Sequence, residues 1–92
     1  MGKETMTATL IDFLKNAIED NTELEIAMIA GNATISFRST ISDFDNGVDN
    51  IIVYAHDVIV NIPTSNIKYN DDLEEFTCYC QQSTNIIISI PD

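Results

Sequence analysis

Apolar positions recur along this chain with two different periods, and the change of period divides it. Leu10, Phe13, Leu14, Ala17 and Ile18 follow i, i+3, i+4, i+7, i+8, the stripe of an amphipathic helix. Asp12, Lys15, Asn16, Glu19 and Asp20 take the other side. Thr9 is a good N-cap, and Asp12 falls in the first turn, where a carboxylate suits the helix dipole. Asn21 supplies the stop. The pattern predicts one helix of about a dozen residues. Residues 1–6 read as a flexible N-terminal arm and 7–92 as a single small domain.

After Asn21 the period becomes two. Leu24, Ile26, Met28 and Ala30 share one face of a predicted strand, and Glu23 and Glu25 begin the other. Gly31-Asn32 between two alternating runs is a hairpin signal. The run from Ala33 to Phe44 sets Ile35, Phe37 and Ile41 against Thr34, Ser36, Arg38, Thr40 and Ser42. Asp45-Asn46-Gly47 then breaks the chain. Asn50 to Ile62 is strongly β-prone, and His56-Asp57 within it is either a tight turn between two strands or the middle of one long bent strand. Pro63 ends that run. Ile67-Lys68-Tyr69 extends or bridges it, Phe76 to Cys80 is another strand, and Gln81 to Asn85 is a turn. Ile86 to Ile90 is a last strand, stopped by Pro91.

The expected fold class is α+β: an N-terminal helix followed by five or six antiparallel strands forming a bent sheet or small barrel. That order is similar to the Sm-like fold, and the stretch Val60-Asn61-Ile62-Pro63-Thr64-Ser65-Asn66-Ile67 resembles a strand-to-turn passage near the end of some Sm-like barrels. The resemblance implies a tendency to oligomerise through sheet edges. It carries no binding residues onto this chain, because the family's basic and aromatic RNA-reading positions have no counterparts here. The runs Ile51-Val53 and Ile86-Ile88 lack alternation, which calls for cover on both faces. A homodimer or higher oligomer is therefore expected.

Charge narrows the function. Among 92 residues, 15 are acidic and 4 are Lys or Arg, a formal net charge of −11. Such a body repels phosphate, so direct nucleic-acid or membrane binding is not expected, and a basic partner is favoured. The bland function of the same charge is solubility. At 45% hydrophobic the chain should fold rather than remain an acidic tail. No long apolar span and no signal-peptide pattern is visible, and a cytoplasmic location is expected. Cys78 and Cys80 share a strand face at a spacing poor for a disulfide, and His56 is the one histidine. The cysteines are read as small buried hydrophobes, with no metal or cofactor expected.

No complete catalytic motif is present. His56-Asp57 invites an acid–base reading, but adjacent strand residues face opposite ways, and no nucleophile elbow accompanies them. A turn histidine is the simpler reading. Asp43, Asp45 and Asp49 with Gly47 do not make an EF-hand loop, because the glycine is misplaced and the bidentate glutamate is missing. The carboxylates suggest a different use. Side chains at i and i+2 on a strand lie roughly 6.6–7 Å apart, close to the spacing of successive phosphates on one nucleic-acid strand. Glu23/Glu25 and Asp43/Asp45 have that spacing. With Asp71, Asp72, Glu74 and Glu75 they form the expected contact set of a non-enzymatic binding protein. Such a protein would block a basic, nucleic-acid-binding surface of a partner, as an anti-CRISPR or anti-restriction inhibitor from a phage or mobile element would. The alternative is an oligomeric Sm-like small-molecule or nucleotide binder, with Arg38 and Tyr54 in a pocket between subunits.

Overall fold

The computed structural model describes residues 2–80 and 83–91, with side chains from residue 6 onward. Met1, Gln81, Gln82 and Asp92 lie outside the described residues, and with them parts of the predicted arm and of the Gln81–Asn85 turn. Helix α1 spans Gly2–Glu19. It begins well before Thr9, so residues 2–6 are helical instead of a loose arm. Nothing from Lys3 to Ala8 breaks a helix, and the hydrogen-bond ladder continues past the end of the apolar stripe. Leu10, Leu14 and Ala17 are buried, with Met6, Ile11, Phe13 and Ile18 packed partly against the same core. The helix stops as the sequence predicts. Asn21 adopts φ 55°, its N–H donates to the Ile18 carbonyl (3.2 Å), and Thr22 N–H donates to Ala17 (2.8 Å). These two bonds are the Schellman arrangement, which satisfies the last helix carbonyls.

Eight strands follow: β1 Leu24–Ala30, β2 Ala33–Ser39, β3 Ile41–Asn46, β4 Asn50–Ala55, β5 Ile59–Pro63, β6 Ile67–Asn70, β7 Glu75–Tyr79 and β8 Thr84–Ser89. All pair antiparallel, in a five-stranded sheet of order β2-β1-β8-β7-β6 and a three-stranded sheet of order β3-β4-β5. The α+β class holds, but the strand count exceeds five or six and the sheets do not close into a barrel. One reason is local. The run Ala33–Phe44, read as one strand, breaks at Thr40, and its halves join different sheets. The corner is held by a tertiary bond, His56 N–H to Ser39 Oγ (3.1 Å). Just beyond, a bulge between Ile41 and Asp43 resets the alternation. Ile41 and Phe44 then both face the core, and Asp43 and Asp45 both face out.

Two turns fit their sequence signals. Gly31-Asn32 joins Ala30 to its partner Ala33, with Gly31 at φ 59° as the first position of a II′ loop requires. His56-Asp57 is the tight turn between β4 and β5, closed by Ala55 N–H to the Val58 carbonyl (2.9 Å). One core joins the layers: Leu10, Leu14, Leu24, Ile26, Ile51, Val53, Ile62, Phe76 and Ile88 are buried together. The helix lies against β3 and β6, edge strands of the two sheets. Ile52 and Ile87, central in the non-alternating runs, sit on the outer faces and are half-buried.

Candidate protein-binding face

Strand register decides which carboxylates meet. Arg38 pairs with Glu25, Glu25 with Ser89, Ser89 with Glu75, and Glu75 with Asn70, so these five form one row across the outer face of the five-stranded sheet. Glu25 and Glu75 flank Ser89, about two strand spacings, or roughly 10 Å, apart. Glu23 precedes β1 at the same end. Asp71, Asp72 and Glu74 occupy the β6–β7 loop beside Glu75. In that loop Asn70 Oδ1 accepts from Asp72 N–H (3.0 Å) and Leu73 N–H (3.3 Å), and Glu74 sits at φ 50°. The helix C-terminus brings Glu19 and Asp20 to this end through the short link to Glu23. The opposite end of the sheet carries Ala30–Ala33, Asn66, Ile67, Tyr79, Cys80, Ser83 and Thr84, none of them acidic.

The structure therefore joins two of the three predicted acidic groups and leaves the third elsewhere. Asp43 and Asp45 are exposed on the outer face of the three-stranded sheet. Asp45 Oδ2 accepts a hydrogen bond from the Tyr54 hydroxyl at 2.7 Å. That bond, which favours the neutral donor, is the main reason the Tyr54 pKa is raised, with desolvation second. Asp43 Oδ1 accepts from the Phe44 N–H (2.7 Å). Of the alternative ligand pair, Arg38 turns to Glu25 (Nε–Oε1 3.5 Å) and Tyr54 to Asp45. The small hollow that Arg38 lines with Phe37, His56 and Val58, about 210 Å³, does not include Tyr54. These two residues were grouped by chemistry alone, and nothing in the fold converges them.

An open hollow of about 540 Å³ runs along β6 and β7 from Asn70, Asp71, Asp72 and Glu75 at the acidic end, past Lys68, Tyr69 and Thr77, to Tyr79 near the other end. Lys68 lies over the Tyr79 ring, 5.7 Å from its centroid, and Tyr69 packs on buried Phe76 with centroids 4.6 Å apart. Sequence reasoning missed this hollow, because the pairing of β6 with β7 that forms it has no local signal. His56 and Asp57 are exposed on their turn, 3.8 Å apart, at the rim of the small hollow beside Arg38. Both cysteines are free. Burial, and secondarily neighbouring Cys80, pushes the Cys78 thiol up to about 12, and burial raises Cys80 as well. No group of His, Cys, Asp or Glu suited to holding a metal ion occurs among the described residues. None of their helices is long and apolar enough to cross a membrane. Compared with family models, curated proteins and solved structures, the chain matches none.

Proposed function

We propose that this chain is a non-enzymatic binding protein whose acidic end occupies a basic surface on a partner, in the manner of an inhibitor that blocks a groove made for nucleic acid. One observation carries the reading: Glu23, Glu25, Asp71, Asp72, Glu74 and Glu75 gather at one end of the five-stranded sheet, while its other end has no acidic residue among the described residues. Concentrated like charge strains the free protein and is relieved when cationic groups take the place of water and counterions. Strands hold Glu25 and Glu75 in fixed register, so a partner meets a set geometry rather than a mobile tail. Exposed Leu73 and half-exposed Tyr69 add apolar contact beside the charges. The Glu25–Arg38 pair is exposed and weak, so Glu25 remains available.

Capture from a cell lysate over a series of salt concentrations tests this. The reading expects a specific basic, nucleic-acid-binding protein retained at low salt, released by high salt, and displaced from DNA by the free chain. A retained protein that binds DNA undisturbed by saturating chain would refute it.

A further inference from the structure

We propose that the edge of β2 is a self-association site, where a second copy of this chain adds antiparallel about Ser36 and continues the five-stranded sheet. The other three sheet edges each carry a feature that discourages pairing. Strand β6 is only four residues long and bears Lys68. Strand β3 has its bulge and the exposed Asp43 and Asp45. Strand β5 ends in Pro63. Thr64 N–H bonds back to the Asp49 carbonyl (3.0 Å), so the Pro63 nitrogen, one residue earlier, turns to the open side with no hydrogen to donate. Strand β2 carries one charge, Arg38, which is paired with Glu25 of its own copy, and has none of the other features. It is seven residues long, without proline, bulge or acidic residue.

Backbone parity fixes the register. The Thr84 carbonyl accepts from Cys80 N–H, so Thr84 faces β7, and Ala30 opposite it turns its backbone groups to Ala33. By alternation, Ile35 and Phe37 bond β1, while Thr34, Ser36 and Arg38 present free N–H and C=O groups at the edge. A two-fold axis at Ser36 sets Thr34 against Arg38 of the second copy and Ser36 against Ser36, which satisfies every one of those edge groups. On the core-side face the same register sets Ile35 against Phe37 of the second copy, and the reverse. This explains an otherwise costly feature: Ile35 belongs to the core-facing row yet is 62% exposed at the edge. An isologous contact of this kind is the commonest closed symmetry.

The self-complementary register points to a second copy as the occupant, and charge permits one at this edge. Two bodies of net charge −11 repel, so they can approach only where carboxylates are absent. Residues 26–42 contain no Asp or Glu, and β2 lies inside that stretch. Its one charge, Arg38, already faces Glu25 of its own copy.

Sedimentation of the full chain across the micromolar range tests the proposal, with Ile35→Lys and Ser36→Pro as variants. Neither change enters the core. The proline removes only an outward N–H, and circular dichroism melts verify that each variant folds. The wild type should move from 10.2 kDa to twice that mass with rising concentration. Added salt should promote the shift, the opposite of its effect on binding a cationic partner. Both variants should stay at the single-chain mass. A wild type that remains at 10.2 kDa, or a folded variant that still doubles, overturns the proposal.

Discussion

The two ends of the five-stranded sheet are built from the same strands yet differ in charge. At one end Glu23, Glu25, Glu75 and the Asp71–Glu74 loop crowd together. At the other, the Gly31-Asn32 turn and the residues around Cys80 and Thr84 are uncharged. Solubility alone is served by charge spread over the surface. Crowding it at one end raises the local potential and the repulsion within the folded state. Strand β2 runs between the two ends and carries no acidic residue. The two proposals rest on different parts of this sheet, the acidic end for a cationic partner and the β2 edge for a second copy.

The largest expected effect comes from removing what holds the acidic end in place. Phe76 is 1% exposed and packs against Phe13, with centroids 5.1 Å apart, and against Tyr69. Phe76→Ala should cost about 3–5 kcal/mol in a denaturant melt. Loss below 1 kcal/mol would mean that β6 and β7 are not anchored as described.

A second test addresses the uncharged end. Cys78 has its thiol pushed up to about 12 by burial first and Cys80 second. A raised folded pKa favours the neutral thiol. Its contribution is therefore fully present below the unfolded thiol value, about 8.5, and is lost as pH climbs from there toward 12. Stability measured by denaturant at stepped alkaline pH should fall across that window, and Cys78→Ser should flatten the decline. Iodoacetamide near neutral pH should spare Cys78 until the protein unfolds. Rapid native alkylation of Cys78 would contradict its burial.

A smaller effect is expected at the helix stop that leads into Glu23. Asn21 holds a left-handed conformation, so Asn21→Ala should destabilise by about 1 kcal/mol, and Asn21→Gly should be neutral or stabilising. Equal melts for the two variants would remove the conformational argument.

How much was legible follows from which forces act locally. The helix stripe, the Asn21 stop and the Gly31-Asn32 turn are legible because they depend on neighbours in sequence, whereas His56-Asp57 reads equally as a turn or as the middle of one bent strand, and the β4–β5 pairing decides it. The corner at Thr40 is not legible. Ile35, Phe37 and Ile41 keep one parity straight through it, and the His56–Ser39 bond that fixes it spans 17 residues. The bulge left a trace in the spacing of three between Ile41 and Phe44, which a strict period of two cannot place on one face. The acidic clusters were legible as composition. That Glu25 and Glu75 flank Ser89 depends on β8 returning between β1 and β7, a long-range pairing with no local signal.

The most direct measurement compares two variants of equal net charge against the captured basic partner. One carries Glu23→Lys, Glu25→Lys, Asp72→Lys and Glu75→Lys at the acidic end. The other carries Asp43→Lys, Asp45→Lys, Asp49→Lys and Asp57→Lys on the second sheet and its turns. By titration calorimetry the first should lose affinity by about 100-fold or more, and the second should stay within about tenfold of wild type. Equal losses for the two would show that only total charge matters and would contradict the account.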